Sequence, residues 1–208
     1  RGLVLDGSQA DIDFISKDSI YWKYDLTAKC AFVTRENVNQ LLLESGFSGQ
    51  IGLLSIDIDG NDYWVWEGIE CVNPSIVVCE YNSLFGHEHP VTVPYDADFV
   101  RTSAHFSNLY YGCSLPALCS LAERKGYDFV GSNSAGSNAF FIRKDLPHGL
   151  KTLSAQQGYV PCKVRESRDK AGQLTYLAGH SRLRMIEDLP VYHLEEQALM
   201  PLKKVFSG

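Results

Sequence analysis

Along the first two thirds of the chain, apolar positions switch between two periods. Short apolar runs of strand length are followed by stretches in which apolar residues recur every three or four positions, which predicts strands alternating with helices. "LVLD" (Leu3 to Asp6) is the first run, closed by an acid, and "SQADIDFISK" follows it with Ser8 as a helix cap. "AKCAFV" then leads into "TRENVNQLLLESGF", where Thr34 can cap, Glu36 suits the helix dipole, Val38, Leu41 and Leu42 share a face, and Gly46 is a stop. "IGLLSID" (Ile51 to Asp57) is nearly continuous in apolar residues, as expected of a parallel strand covered on both faces. Helix-like "DYWVWEGIE" separates it from a second buried strand, "SIVVCEY" (Ser75 to Tyr81). After a long loop, Ser114 caps "LPALCSLAERK" and Gly126 ends it.

The pattern then changes. "YDFVGSN" and "NAFFIRK" are separated only by "SAGS", too short for a helical crossover, so they are antiparallel neighbours. The expected fold is α/β, with a mostly parallel sheet carrying one reversed strand at its edge. Beyond Leu146 the periodicity weakens. Residues 147–208 read as a C-terminal extension packed on or beside the same domain, with "KVRESRDKAGQ" as a solvated excursion.

Composition narrows the chemistry. A chain of 208 residues with 45% hydrophobic content makes roughly one domain with a real core. Net charge is −6 and the basic residues are scattered, which argues against nucleic acid as a partner. No apolar run approaches the roughly 18 residues a membrane span needs, and the start lacks the pattern of a signal peptide; a soluble, cytoplasmic protein without a membrane partner is expected. Six cysteines without a C-x-x-C pair read as reduced thiols, with Cys30 and Cys79 buried in strands. Oligomeric state stays open.

Ligands of open α/β sheets bind beyond the carboxyl ends of the strands, where Asp6, Asp57, Asp59, Glu80 and Asn82 would all fall. Asp6 suits the two hydroxyls of a ribose. Asp57 and Asp59 point the same way if the strand stays extended, close enough to need a cation or a proton. With Glu80 and Asn82 on the neighbouring strand they offer the oxygen donors magnesium or calcium prefers. The alternative is structural: Asp57 and Asp62 cap the next helix while Asp59 and Gly60 shape the turn. His87 and His89, in the long loop, are candidate bases for a substrate hydroxyl. Of Tyr63, Trp64 and Trp66, at least two are expected in the core.

"DIDG" after a strand also resembles the haloacid dehalogenase phosphatases, with Asp57 as nucleophile and Asp59 as acid/base, although Asn61 departs from that pattern. D-x-D is shared with some glycosyltransferases as well. The longer series "AFVTRENVNQLL", "LLSIDIDGNDYWVW", "VVCEYNSLFG", "VPYDADF", "YYGCSLPAL" and "NAFFIRKDL" resembles FkbM-like S-adenosylmethionine-dependent methyltransferases from about Arg1 to Leu146. The resemblance implies a Rossmann-like class I methyltransferase sheet over residues 1–146 and O-methylation of a small-molecule or sugar hydroxyl. Asp6 would hold the cofactor ribose, Phe32 and Thr34 would stand near the adenine, and Asp57 would line the transfer cleft. Magnesium at Asp57, Asp59 and Asn82, or His87 or His89, would deal with the hydroxyl proton. The resemblance also implies a first strand between those ending at Asp6 and Asp57, which these residues lack. A fragment of a longer protein, another segment filling the gap, or a non-catalytic remnant are the expectations that follow.

Overall fold

The computed structural model describes residues 1–163 and 165–206. Val164, within the expected excursion, and residues 207–208 of the C-terminal extension lie outside the described residues. Strand β1 (Gly2–Asp6) is followed by α1 (Gln9–Lys17), where the Ser8 hydroxyl accepts from the Asp11 amide as its sequence position predicts. A short α2 (Ser19–Lys23) leads to β2 (Leu26–Cys30), parallel to β1. Asn37, not Thr34, stands at the start of α3 (Val38–Glu44). The Thr34 hydroxyl instead accepts from the Asn37 amide at 3.3 Å in the preceding turn.

Strand β3 (Gly49–Ile56), helix α4 (Asp62–Gly68) and strand β4 (Val72–Glu80) form a parallel unit in which Ile56 pairs with Cys79. Beyond a 3-10 turn (Ser83–Phe85) come β5 (Val91–Thr92) and α5 (Arg101–Ala104). Helix α6 (Leu115–Lys125) is capped by Ser114 and closed by Gly126, whose φ of 82° suits a residue without Cβ. Strands β6 (Tyr127–Ser132) and β7 (Asn138–Arg143) make the expected antiparallel hairpin.

The protein is α/β with mixed sheets, and here the expectation needs correcting. The four-stranded sheet has the order β3-β4-β7-β6, so the reversed strand β7 lies inside it, paired antiparallel with both neighbours. One of its three pairings is parallel. The hairpin folds back toward β4, because Val77, Ala139 and Phe141, all fully buried, must share one core. A second correction concerns β3, whose apolar run is largely exposed, with Leu53 58% accessible. Its outer edge meets no strand among the described residues. It borders a cavity of about 480 Å³ shared with β1, lined by Leu3, Leu5, Val33, Leu54 and Asp57. Cys30, expected in the core, is exposed on the β2 edge, whereas Cys79 is buried.

The main core lies against one face of the four-stranded sheet, where Trp66 packs on Tyr127 and Phe141 in a cluster that includes Tyr63 and Leu118, which accounts for two of the three aromatics in "DYWVW". A second core collects Phe85, Val91 and Leu109 with Ile186, Val191 and Leu202. The C-terminal segment supplies it through α8 (His180–Arg184), β8 (Pro190–His193), β9 (Ala198–Pro201) and α9 (Leu202–Val205), while α7 (Ala155–Gly158) packs on the main core through Ala155. Strand β8 pairs antiparallel with β5, binding the extension to the long loop. The excursion is mostly exposed, but Ser167 anchors it with a fully buried hydroxyl hydrogen-bonded to Thr175. No helix of the described residues is long and apolar enough to cross a membrane.

Candidate functional site

The parallel pairing of β3 with β4 brings their carboxyl ends together, so that Asp57 and Glu80 leave the sheet side by side. Helix α4 then returns Asp62 to the same point. Its carboxylate accepts from the Ile58 amide at 2.9 Å and the Gly60 amide at 3.0 Å, which clamps the intervening turn. Gly60 is required there by close approach: a Cβ would lie 2.2 Å from the Phe99 ring. Asp57, Asp62 and Glu80 each present a carboxylate oxygen within 4.8 Å of the others.

These acids are poorly compensated. Asp62 is fully buried, Glu80 is 8% exposed, and Oε2 of Glu80 has no hydrogen-bond partner. Burial, reinforced by Asp62 and Asp57, pushes the Glu80 carboxyl up to about 10. Burial also lifts Asp62 to about 6, against the pull of its two amide donors. Asp57 rises as well, through burial and then Asp59. Without a cation, Glu80 holds a proton at neutral pH.

Asp59 and Asn82, expected to join Asp57 at a metal, do other work. Asp59 has φ 58°, so the backbone is no longer extended and its carboxylate swings to Arg101, Oδ1 to Nη1 at 2.5 Å. The Arg101 guanidinium lies 3.8 Å over the Tyr111 ring. Asn82 spends its side chain on structure: Nδ2 donates to the Leu109 and Tyr111 carbonyls, and Oδ1 accepts from the Leu84 amide. Asp62 and Glu80 take their places beside Asp57.

A second set of expected residues does converge. Asp6, Phe32, Asp57 and Asp59, with Asn61 and Phe99, line one cleft of about 170 Å³ at the carboxyl ends of β1 and β3. Phe32 presents an exposed ring to it, and Asp6 keeps one oxygen on the Ser8 amide at 2.7 Å. Thr34 is not among its walls. The histidines lie elsewhere. His87 stacks on Tyr159 at 4.8 Å and lines a separate cavity, while the His89 ring is 6.0 Å from His193 and 6.2 Å from Phe206.

Sequence reasoning assigned Asp62 only a capping role and did not see Arg101, which opens the short helix α5 in a stretch without periodic signal. Glu80, at the end of an otherwise apolar strand, was already among the expected oxygen donors, and it stands in the acidic group. Comparisons of the chain with protein-family models, with curated proteins and with solved structures find no match.

Proposed function

We propose that this chain carries the donor cleft of an S-adenosylmethionine-dependent O-methyltransferase acting on a small-molecule or sugar hydroxyl. One observation carries the reading. Asp6 and Phe32, at the ends of β1 and β2, share a cleft with Asp57 and Asp59 at the end of β3, about fifty residues beyond Asp6 and about twenty-five beyond Phe32. An acid and an aromatic ring facing each other at the carboxyl ends of parallel strands suit the ribose hydroxyls and the base of a nucleoside. The order β2-β1, a cavity, then β3-β4-β7-β6 supports reading the two sheets as one interrupted Rossmann-like sheet.

In this reading Asp6 accepts the ribose hydroxyls, Phe32 stacks on the adenine, and Phe99, seated over Gly60, closes the cleft toward water. The donor is already activated, so the residues mainly align an oxygen with the methyl group and keep the pair dry. Asp57, on the cleft wall and raised above the usual aspartate range, accepts the hydroxyl proton at its carboxylate. The acidic group also fits a divalent ion such as Mg²⁺: three carboxylates, one with an orphaned buried oxygen, form an all-oxygen donor set. Such an ion, held by Asp57, Asp62 and Glu80, would make a nearby hydroxyl more acidic.

The test is calorimetry with S-adenosylmethionine, with and without Mg²⁺, on the chain and on Asp6→Ala. Saturable binding that Asp6→Ala weakens at least about tenfold is expected. Absence of donor binding, together with phosphate release from an aryl phosphate that Asp57→Asn abolishes, would replace this reading with the phosphatase one.

A further inference from the structure

Arg182 poses a different question. It lies in α8 and is 8% exposed, its Nε is shielded from water without a hydrogen-bond partner, and no ion pair reaches it among the described residues. A buried guanidinium is costly unless an anion faces it. The side chain lines a cavity of about 670 Å³, beside the 3-10 turn that continues from β4. Its other polar walls include His87, His180 and Ser83, and the exposed Glu88 is the carboxylate among them. His87 is held by its stacking on Tyr159, whose hydroxyl donates to the Ser83 carbonyl at 2.8 Å, so this wall is fixed before any ligand arrives.

Buried Tyr111 feels the charges of both Glu80 and Arg182, and it supports Arg101 on its ring. We propose that this cavity is an anion-recognition site in which Arg182 receives the carboxylate or phosphate of an acidic sugar. The guanidinium fork matches either group in a bidentate fashion, which a lysine in its place would not. That the sugar is a methyl acceptor rests on the function proposed above; that the cavity binds an anion does not.

The experiment uses the full chain without methyl donor. Glucuronate, glucose 6-phosphate and uncharged glucose are titrated by calorimetry at matched ionic strength. We expect at least one charged sugar to bind about tenfold or more tightly than glucose. Arg182→Met should lose that preference while unfolding at the same temperature or higher, since an unpaired buried charge has been removed. Arg182→Lys should retain charge but lose most of the affinity, and it keeps the test valid if the methionine variant does not fold. Equal binding of glucose and the anions, no binding of any of the three, or undiminished anion binding by the variants overturns the proposal. Carboxylate and phosphate are told apart by which sugar binds. Donor binding on the same samples separates the two readings: anion binding lost with donor binding intact counts against this site alone, and the reverse counts against the transferase alone.

Discussion

Glu80 is a buried carboxyl with an orphaned oxygen, and that makes its proton a stability term. The folded protein holds the proton to about 10, whereas an ordinary glutamate releases it near 4.5, so the unfolded chain binds fewer protons between these values. This contribution is fully present below about 4.5 and is lost as pH rises toward 10; Asp62, also raised, adds a loss of the same sign starting lower. In chelator, the urea midpoint should fall steadily between about pH 5 and about pH 9, and Glu80→Gln should remove most of that slope. Millimolar Mg²⁺ or Ca²⁺ should flatten the wild-type curve by replacing the proton. A wild-type slope that Glu80→Gln leaves unchanged would show that other groups set it. Asp62→Ala should cost about 2–6 kcal/mol, because the Ile58 and Gly60 amides both lose their acceptor, each worth roughly 1–3 kcal/mol. Denaturant unfolding measures it directly. At this scale the sequence told much about Asp6, Phe32 and Asp57, since strand ends are locally encoded. For Asp59 the turn-shaping alternative is the one that fits, because the two-residue alternation holds only while the backbone is extended, and a left-handed residue ends it.

Elements were legible wherever their signals are local. The caps at Ser8 and Ser114, the stop at Gly126 and the hairpin after Tyr127 need only neighbouring residues. Ser114 shows how much such a residue can carry: its hydroxyl accepts from the Ala117 and Val91 amides and donates to the His89 carbonyl at 2.7 Å. Ser114→Ala should therefore cost about 2 kcal/mol or more, beyond the roughly 1 kcal/mol of an ordinary cap, measured by thermal or urea unfolding. The position of β7 was not legible, because insertion between β4 and β6 is decided by which side chains bury together, not by the hairpin loop. Nor was the exposure of β3, which follows from an edge without a partner. An open edge with an exposed leucine is a template for pairing. This chain should self-associate with concentration in sedimentation velocity, and Leu53→Lys should reduce it; a monomer at all concentrations would mean that the edge is shielded in solution.

For the whole molecule, the open matter is whether the two cores behave as one. The weak periodicity after Leu146 hid the second core, whose apolar residues are short runs that make sense only against the long loop. The contacts between the parts are specific: Tyr81 donates its hydroxyl to the Val160 carbonyl at 2.8 Å, the Cys162 amide donates to the Ser83 hydroxyl, and β8 pairs with β5. Through them the C-terminal segment places Arg182 at its cavity and fixes the loop that holds Tyr111 and Arg101. Such coupling predicts a single cooperative transition. Trp66 lies in the main core, whereas Trp64 packs on Tyr192 of β8 and Trp22 is exposed, so tryptophan fluorescence read in a Trp22→Phe, Trp64→Phe background reports on the main core. Ile186→Ala opens a cavity in the second core, where the side chain is fully buried, at a cost of about 2–5 kcal/mol. If the molecule unfolds as one unit, the tryptophan transition shifts by that full amount and coincides with the far-ultraviolet circular dichroism transition. A tryptophan transition that stays put while dichroism splits into two steps would mean independent units. The cavity lined by Arg182 would then be assembled by docking, separately from the folding of the main sheet.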